Sequence, residues 1–306
     1  MIYFRPGSQI HLLTAVLAVT GEIPLSGLSA FGSQRTVRAL VARLVEPQTL
    51  HNTVTGEELT CRLLKLHGKG AGKTIRFYKG GLPVLDWLGV REYYLASFWN
   101  HNFPSDPQHS NRMERVSETV LALMQAGVEY RVWRLPALSI LERQELFFPT
   151  PAYFLARDLK KVGVSETNKI QFSRITGAIF TADSVIPVYN TQDAVMKWNG
   201  EGEFKTKLSL LDLTRKNTRI REINSAILFG KSFDTAVRII ETTEKNVAWS
   251  SALTGFMKKS ILFLCARLVL TSFAFFYLQT GMSDCFRPCS IWQNARTIVG
   301  ILSMMQ

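Results

Sequence analysis

Cysteine is nearly absent from this chain of 306 residues: there are four, Cys61, Cys265, Cys285 and Cys289. So few exclude a disulfide framework, and the CxxxC pair at 285 and 289 has no histidine nearby to complete a zinc site. All five histidines fall before residue 110. GxSxG, HExxH, GxGxxG and paired Cys-His patterns are missing throughout, which removes the common signatures of hydrolases, metalloproteases and dinucleotide enzymes. No catalytic residue, metal or cofactor is therefore expected. Acidic side chains are also few, 24 against 36 Lys and Arg, giving a net charge of +12 and a pI near 9.7. That balance favours a polyanionic partner. An apolar stretch at residues 10–19 is preceded only by Arg5 and lacks a small-residue cleavage site, so export is not expected and the compartment reads as cytoplasmic and reducing.

The remaining composition, 46% hydrophobic with 20 Gly and 11 Pro, is that of a globular protein with room for two domains and excludes collagen-like or disordered chains. The positive charge is uneven. Residues 33–80 carry nine basic side chains against Glu46, Glu57 and Glu58.

Ser8 is a helix N-cap followed by Ile10, Leu13, Val16 and Leu17 at helical spacing until Gly21, which predicts a first helix. A second short helix is expected from about residue 24 to 31. Gly32 and Ser33 then break the chain before a third helix at 34–45, with Val37, Leu40, Val41 and Leu44 on one face and Gln34, Arg35, Arg38 and Arg43 on the others. Residues 59–66 and 74–79 read as two strands joined by a Gly-rich turn. Three helices and a hairpin in this order predict a winged helix-turn-helix over residues 1–99. Gln34, Arg35, Arg38 and Arg43 are the candidate groups on the recognition helix, and Lys69, Lys73 and Arg76 on the wing, with double-stranded DNA as the partner. A module of this shape that instead binds protein is the alternative.

The turn resembles a phosphate-binding GxxxxGK[ST] loop but is one residue short, with His67 where the first glycine belongs. It leads into strand-like sequence where that loop needs a helix, so nucleotide binding is not expected. A short helix is expected at 81–88. Residues 100–110, with two prolines and few aliphatics, read as a linker.

Residues 111–250 are expected to form a mixed α+β domain. Its predicted elements are a helix at 110–126, strands at 129–135 and 152–156, and a hairpin of 172–181 with 184–189 turning at Asp183. Helices at about 206–217 and 232–243 flank a strand at 226–229. Asp183, Glu201 or Glu203, and Lys205 form the one set with the composition of a Mg²⁺-dependent nuclease, although Gly200 to Glu203 reads more simply as a solvated turn. Residues 251–306 are an apolar tail, drawn as a C-terminal helix. Its run from 260 to 278 is broken only by Arg267, and a membrane-associated helix, a core helix and sequence read in a shifted frame each fit it.

The sequence resembles the replication-relaxation family, winged-helix proteins of plasmids and conjugative elements, over about residues 8–250. The likeness rests on the order of elements and on Ser33 to Arg38, Gly80 to Leu85, the helix at 111–127, and 172–190. It implies a cytoplasmic DNA-associated protein acting in plasmid replication, relaxation or transfer, or regulating those genes, with replication or transfer proteins as further partners. It carries over no catalytic residue.

Overall fold

The computed structural model describes residues 1–104, 106–130, 151–162, 172, 174–181, 184–192, 200–215, 226–230, 235, 238, 261–265 and 275–278. The chain is mixed α+β and divides into two compact units, Met1–Leu121 and Ala122–Gln306.

Unit 1 starts with strand β1 (Ile2–Phe4) and helix α1 (Gln9–Thr20). The Ser8 hydroxyl accepts a bond from the His11 N–H at 3.4 Å, and Gly21 closes the helix with its N–H on the Leu17 carbonyl at 2.8 Å. Ile10, Leu13, Val16, Leu17, Ala18 and Val19 are all buried, so α1 is a central rather than a surface helix. Gly21 is left-handed at φ +82°, and a Cβ there would overlap the rings of Phe98 and Phe103. Gly21→Ala therefore combines a strained backbone with overpacking, and is expected to cost about 2–4 kcal/mol, read as a lowered urea midpoint.

Strand β2 (Ile23–Pro24) and a 3-10 helix (Leu25–Phe31) lead to helix α2 (Gln34–Val45). Strands β3 (Gln48–Asn52), β4 (Glu58–Cys61), β5 (Leu64–His67) and β6 (Thr74–Phe77) follow. They form two three-stranded sheets, ordered β1-β3-β4 and β2-β6-β5. The strand expected over 59–66 is thus two strands in different sheets. The break is at Leu63, fully buried, whose N–H donates to the Leu44 carbonyl at the end of α2 while its carbonyl accepts from the Tyr78 N–H. The β3–β4 hairpin has no sequence counterpart above, because Gln48 to Asn52 is polar apart from Leu50 and shows no apolar alternation.

Helix α3 (Val84–Trp87) lies within the short helix expected there, and helix α4 (Arg91–Phe98) follows it. The segment read as a linker is mostly exposed among its described residues but is tied to unit 1 at Phe103 and His109. Helix α5 (Pro107–Gln125) begins inside it, with the Asp106 carboxylate accepting from the His109 N–H at 2.7 Å. Phe103 stacks on Phe98 at 6.0 Å. Ring contacts of the half-buried Phe103 with Phe98 and Arg76 supply an attachment that a count of aliphatic residues missed.

Among the described residues, unit 2 holds a seven-stranded sheet. Its strands are β7 (Glu129–Tyr130), β8 (Ala152–Leu155), β9 (Gly177–Phe180), β10 (Val185–Gln192), β11 (Ala226–Gly230), β12 (Ile261–Cys265) and β13 (Phe275–Leu278), and sequence neighbours are spatial neighbours. The pairs β8–β9, β9–β10 and β12–β13 are antiparallel, whereas β7–β8, β10–β11 and β11–β12 are parallel. Strands β8 to β11 are buried at almost every position, the pattern of a sheet covered on both faces. Helix α6 (Ala156–Val162), not foreseen, follows β8, and helix α7 (Gly200–Arg215) is the crossover between β10 and β11. Phe154 and Phe180 meet edge to face at 5.1 Å in the core.

Residues 200–203 are the first turn of α7, not a solvated turn, since the crossover helix extends upstream of the expected start at 206. The expected C-terminal helix is corrected: 261–265 and 275–278 are strands β12 and β13 of the sheet. A run apolar at every position serves a buried strand or a buried helix alike, and pairing with β11 decides. No helix among the described residues is long and apolar enough to cross a membrane. The strand residues expected at 131–135 and nearly all of the helix expected at 232–243 lie outside the described residues.

Candidate nucleic-acid interface

Helix α2 starts after the exposed Ser33 and buries Val37, Val41 and Leu44. At 100° per residue, that leaves the opposite side to Arg35, Arg38, Ala39, Ala42 and Arg43, all exposed together with Gln34 at the first position. The helix QRTVRALVARLV contains no acidic residue.

Strand β5 leaves the C-terminal end of α2, where Leu63 meets Leu44, and the hairpin returns to the start of the 3-10 helix, where the Leu25 N–H donates to the Lys73 carbonyl at 3.0 Å. The turn at 68–73 is therefore tied to the element that precedes α2. Gly68 adopts φ +84°, and a Cβ there would come within 2.9 Å of the Gly72 carbonyl oxygen, so the tight turn requires glycine. Lys69 and Lys73 are exposed on it.

The side chains of Arg35, Arg38, Arg43, Lys69 and Lys73 form no ion pair or hydrogen bond with any described residue. Five uncompensated cations on one helix and its companion turn raise the local potential and attract an anion.

Arg76, the seventh candidate, is not among them. Its guanidinium donates to Glu22 Oε2 from both Nε (3.1 Å) and a terminal nitrogen (2.8 Å), and lies 4.6 Å from the centre of the Phe103 ring. Its side chain is only 13% exposed and that of Glu22 only 1%. The same carboxylate accepts from the Thr74 hydroxyl at 3.1 Å and meets His109 Nε2 at 2.5 Å. Burial pushes the Glu22 carboxyl up, but the His109 hydrogen bond, the Arg76 charge and the Thr74 hydroxyl outweigh it and leave its pKa below the ordinary glutamate value. Arg76 thus stiffens the strand that follows the turn, and its charge is spent internally.

Two residues of this region escaped the sequence reading. Glu22 is the only acid in the first 45 residues, a signal that it serves a buried partner. Lys65 is exposed and stands across the strand pair from Arg76, where period-two alternation would have turned it outward. Arg62 is paired with Glu46 at 3.9 Å and lies over the Tyr78 ring at 5.3 Å.

Of the nuclease set, Asp183 lies outside the described residues, Glu201 and Glu203 belong to the first turn of α7, and Lys205 is exposed. Among the described residues no group of three or more His, Cys, Asp or Glu is arranged to hold a metal. Comparison with known proteins finds no protein family, curated protein or solved structure that matches this chain.

Proposed function

We propose that unit 1 is a winged helix-turn-helix that binds double-stranded DNA, with α2 in the major groove and residues 68–73 as the wing. The observation that carries this function is the set of five cations without internal partners on α2 and the turn. The succession α1, β2, 3-10 helix, α2, β5, β6 and the sheet order β2-β6-β5 support it. Following the family resemblance, the DNA belongs to a plasmid or conjugative element, and binding serves its replication, relaxation or transfer, or control of those genes.

The test is a titration of the full chain with a labelled duplex of about 20 base pairs over a range of salt concentrations. Log K should fall linearly with log salt, and Lys69→Ala or Lys73→Ala should each flatten the slope by about 0.9. No binding at about 50 mM salt would reject the proposal.

A second function, docking of a replication or transfer protein, draws on one observation: Leu95 and Trp99 are 36% and 42% exposed, one helical turn apart at the end of α4. Recovery of such a partner from nuclease-treated extract, with no duplex affinity in the full chain, would favour it.

A further inference from the structure

We infer that α2 reads guanines in duplex DNA through Arg35 and Arg38; the inference rests on the DNA-binding function proposed above and names its substrate class. Proteins that grip single strands use aromatic side chains as platforms on which bases stack. Neither α2 nor the turn at 68–73 contains Phe, Tyr, Trp or His. Apart from the exposed ring of His67 at the end of β5, the surface therefore offers cations and a helix, the means of entering a groove, and no row of stacking platforms for unpaired bases.

Within the groove, the depth of approach depends on the side chains between the arginines. Ala39 and Ala42 are exposed on the same side of α2 as Arg35 and Arg38. Methyl groups there let the helix axis come close to the base edges, whereas longer side chains would hold it away. Arg35 and Arg38 are free to extend to those edges because neither side chain has a partner among the described residues.

The chemistry of the guanidinium then selects the base. Its planar fork presents two parallel N–H donors, and guanine is the base that shows two acceptors, N7 and O6, side by side in the major groove. Adenine offers N7 beside an amino donor, which opposes a second arginine N–H. Three residues along the helix advance the axis by about 4.5 Å, against a rise of about 3.4 Å per base pair. The two guanines accordingly sit on adjacent or next-but-one base pairs. Arg43, two turns beyond Arg35, and Lys69 and Lys73 on the turn are left to the phosphates.

The test selects duplexes from a randomised pool with the full chain. The expected product is a shared pair of guanines at that spacing. Replacing them by 7-deazaguanine, which lacks the N7 acceptor, should weaken binding about tenfold or more. Arg38→Lys should erase the preference at one of the two positions while leaving the salt slope unchanged, since it keeps the charge and loses the fork. Enriched duplexes without a common guanine pair, equal binding of the 7-deazaguanine duplex, or equal binding of the corresponding single strand would each overturn guanine reading while DNA binding stands. Failure to retain any duplex at low salt would instead reject the DNA-binding function itself.

Discussion

Glu22→Gln is expected to destabilise unit 1 by about 3–5 kcal/mol, because removing one partner of a buried ion pair leaves the other charge desolvated and uncompensated. Glu22 holds Arg76, His109 and Thr74 together, so its loss also releases the segment around Phe103 that covers the Arg76 guanidinium. The same carboxylate sets an acid limit. Its folded pKa lies below its ordinary value, so its contribution is complete above the unfolded glutamate pKa and is lost as the pH falls through the lower, folded one. Denaturant titrations at neutral pH and across the acid range should show wild-type stability declining below the ordinary glutamate range. The Glu22→Gln variant, already without the carboxylate, should show a shallower decline. A variant as stable as the wild type at neutral pH would refute the structural role given to the cluster.

The second large effect concerns binding and should leave the fold intact. Replacing Arg35, Arg38, Arg43, Lys69 and Lys73 together by alanine removes five cations whose side chains pair with none of the described residues. The salt slope of duplex binding should fall by about 4–5, and affinity at about 150 mM salt should drop by several orders of magnitude. Thermal stability should stay the same or rise slightly, because mutual repulsion is relieved. Arg76→Ala should show the reverse pattern: a lowered melting temperature, and a salt slope like the wild type measured below that temperature. Should Arg76→Ala flatten the slope as Lys69→Ala does, Arg76 belongs to the interface after all.

Local signals in the sequence specified α1 and α2 of unit 1, whereas α4 and the start of α5 were not foreseen. Ser8 and Gly21 bound α1, because a cap satisfies backbone groups within a few residues of itself and needs no distant partner, while Gly32 and Ser33 break the chain before α2 without a side-chain cap. The outward positions of Gln34, Arg35, Arg38 and Arg43 follow from the 3.6-residue period of the same helix. In unit 2, strands β8, β9 and β11 were legible as apolar runs bounded by turn residues.

Tertiary structure decided what depended on partners far along the chain. Arg76 and Lys73 are alike in sequence, both basic and both beside the turn, yet one is half-buried in an ion pair and the other is exposed with no side-chain partner among the described residues. The difference is Glu22, 54 residues before Arg76, and His109, 87 residues beyond Glu22. The division of 59–66 into two strands likewise depended on Leu63 meeting Leu44 and Tyr78. The apolar stretches at 261–265 and 275–278 became strands through pairing with β11 and with each other. Ion pairs across sheets and strand registers are set by contacts that no local period encodes, so charge and hydropathy show that a residue is basic or apolar while only the fold shows whom it meets.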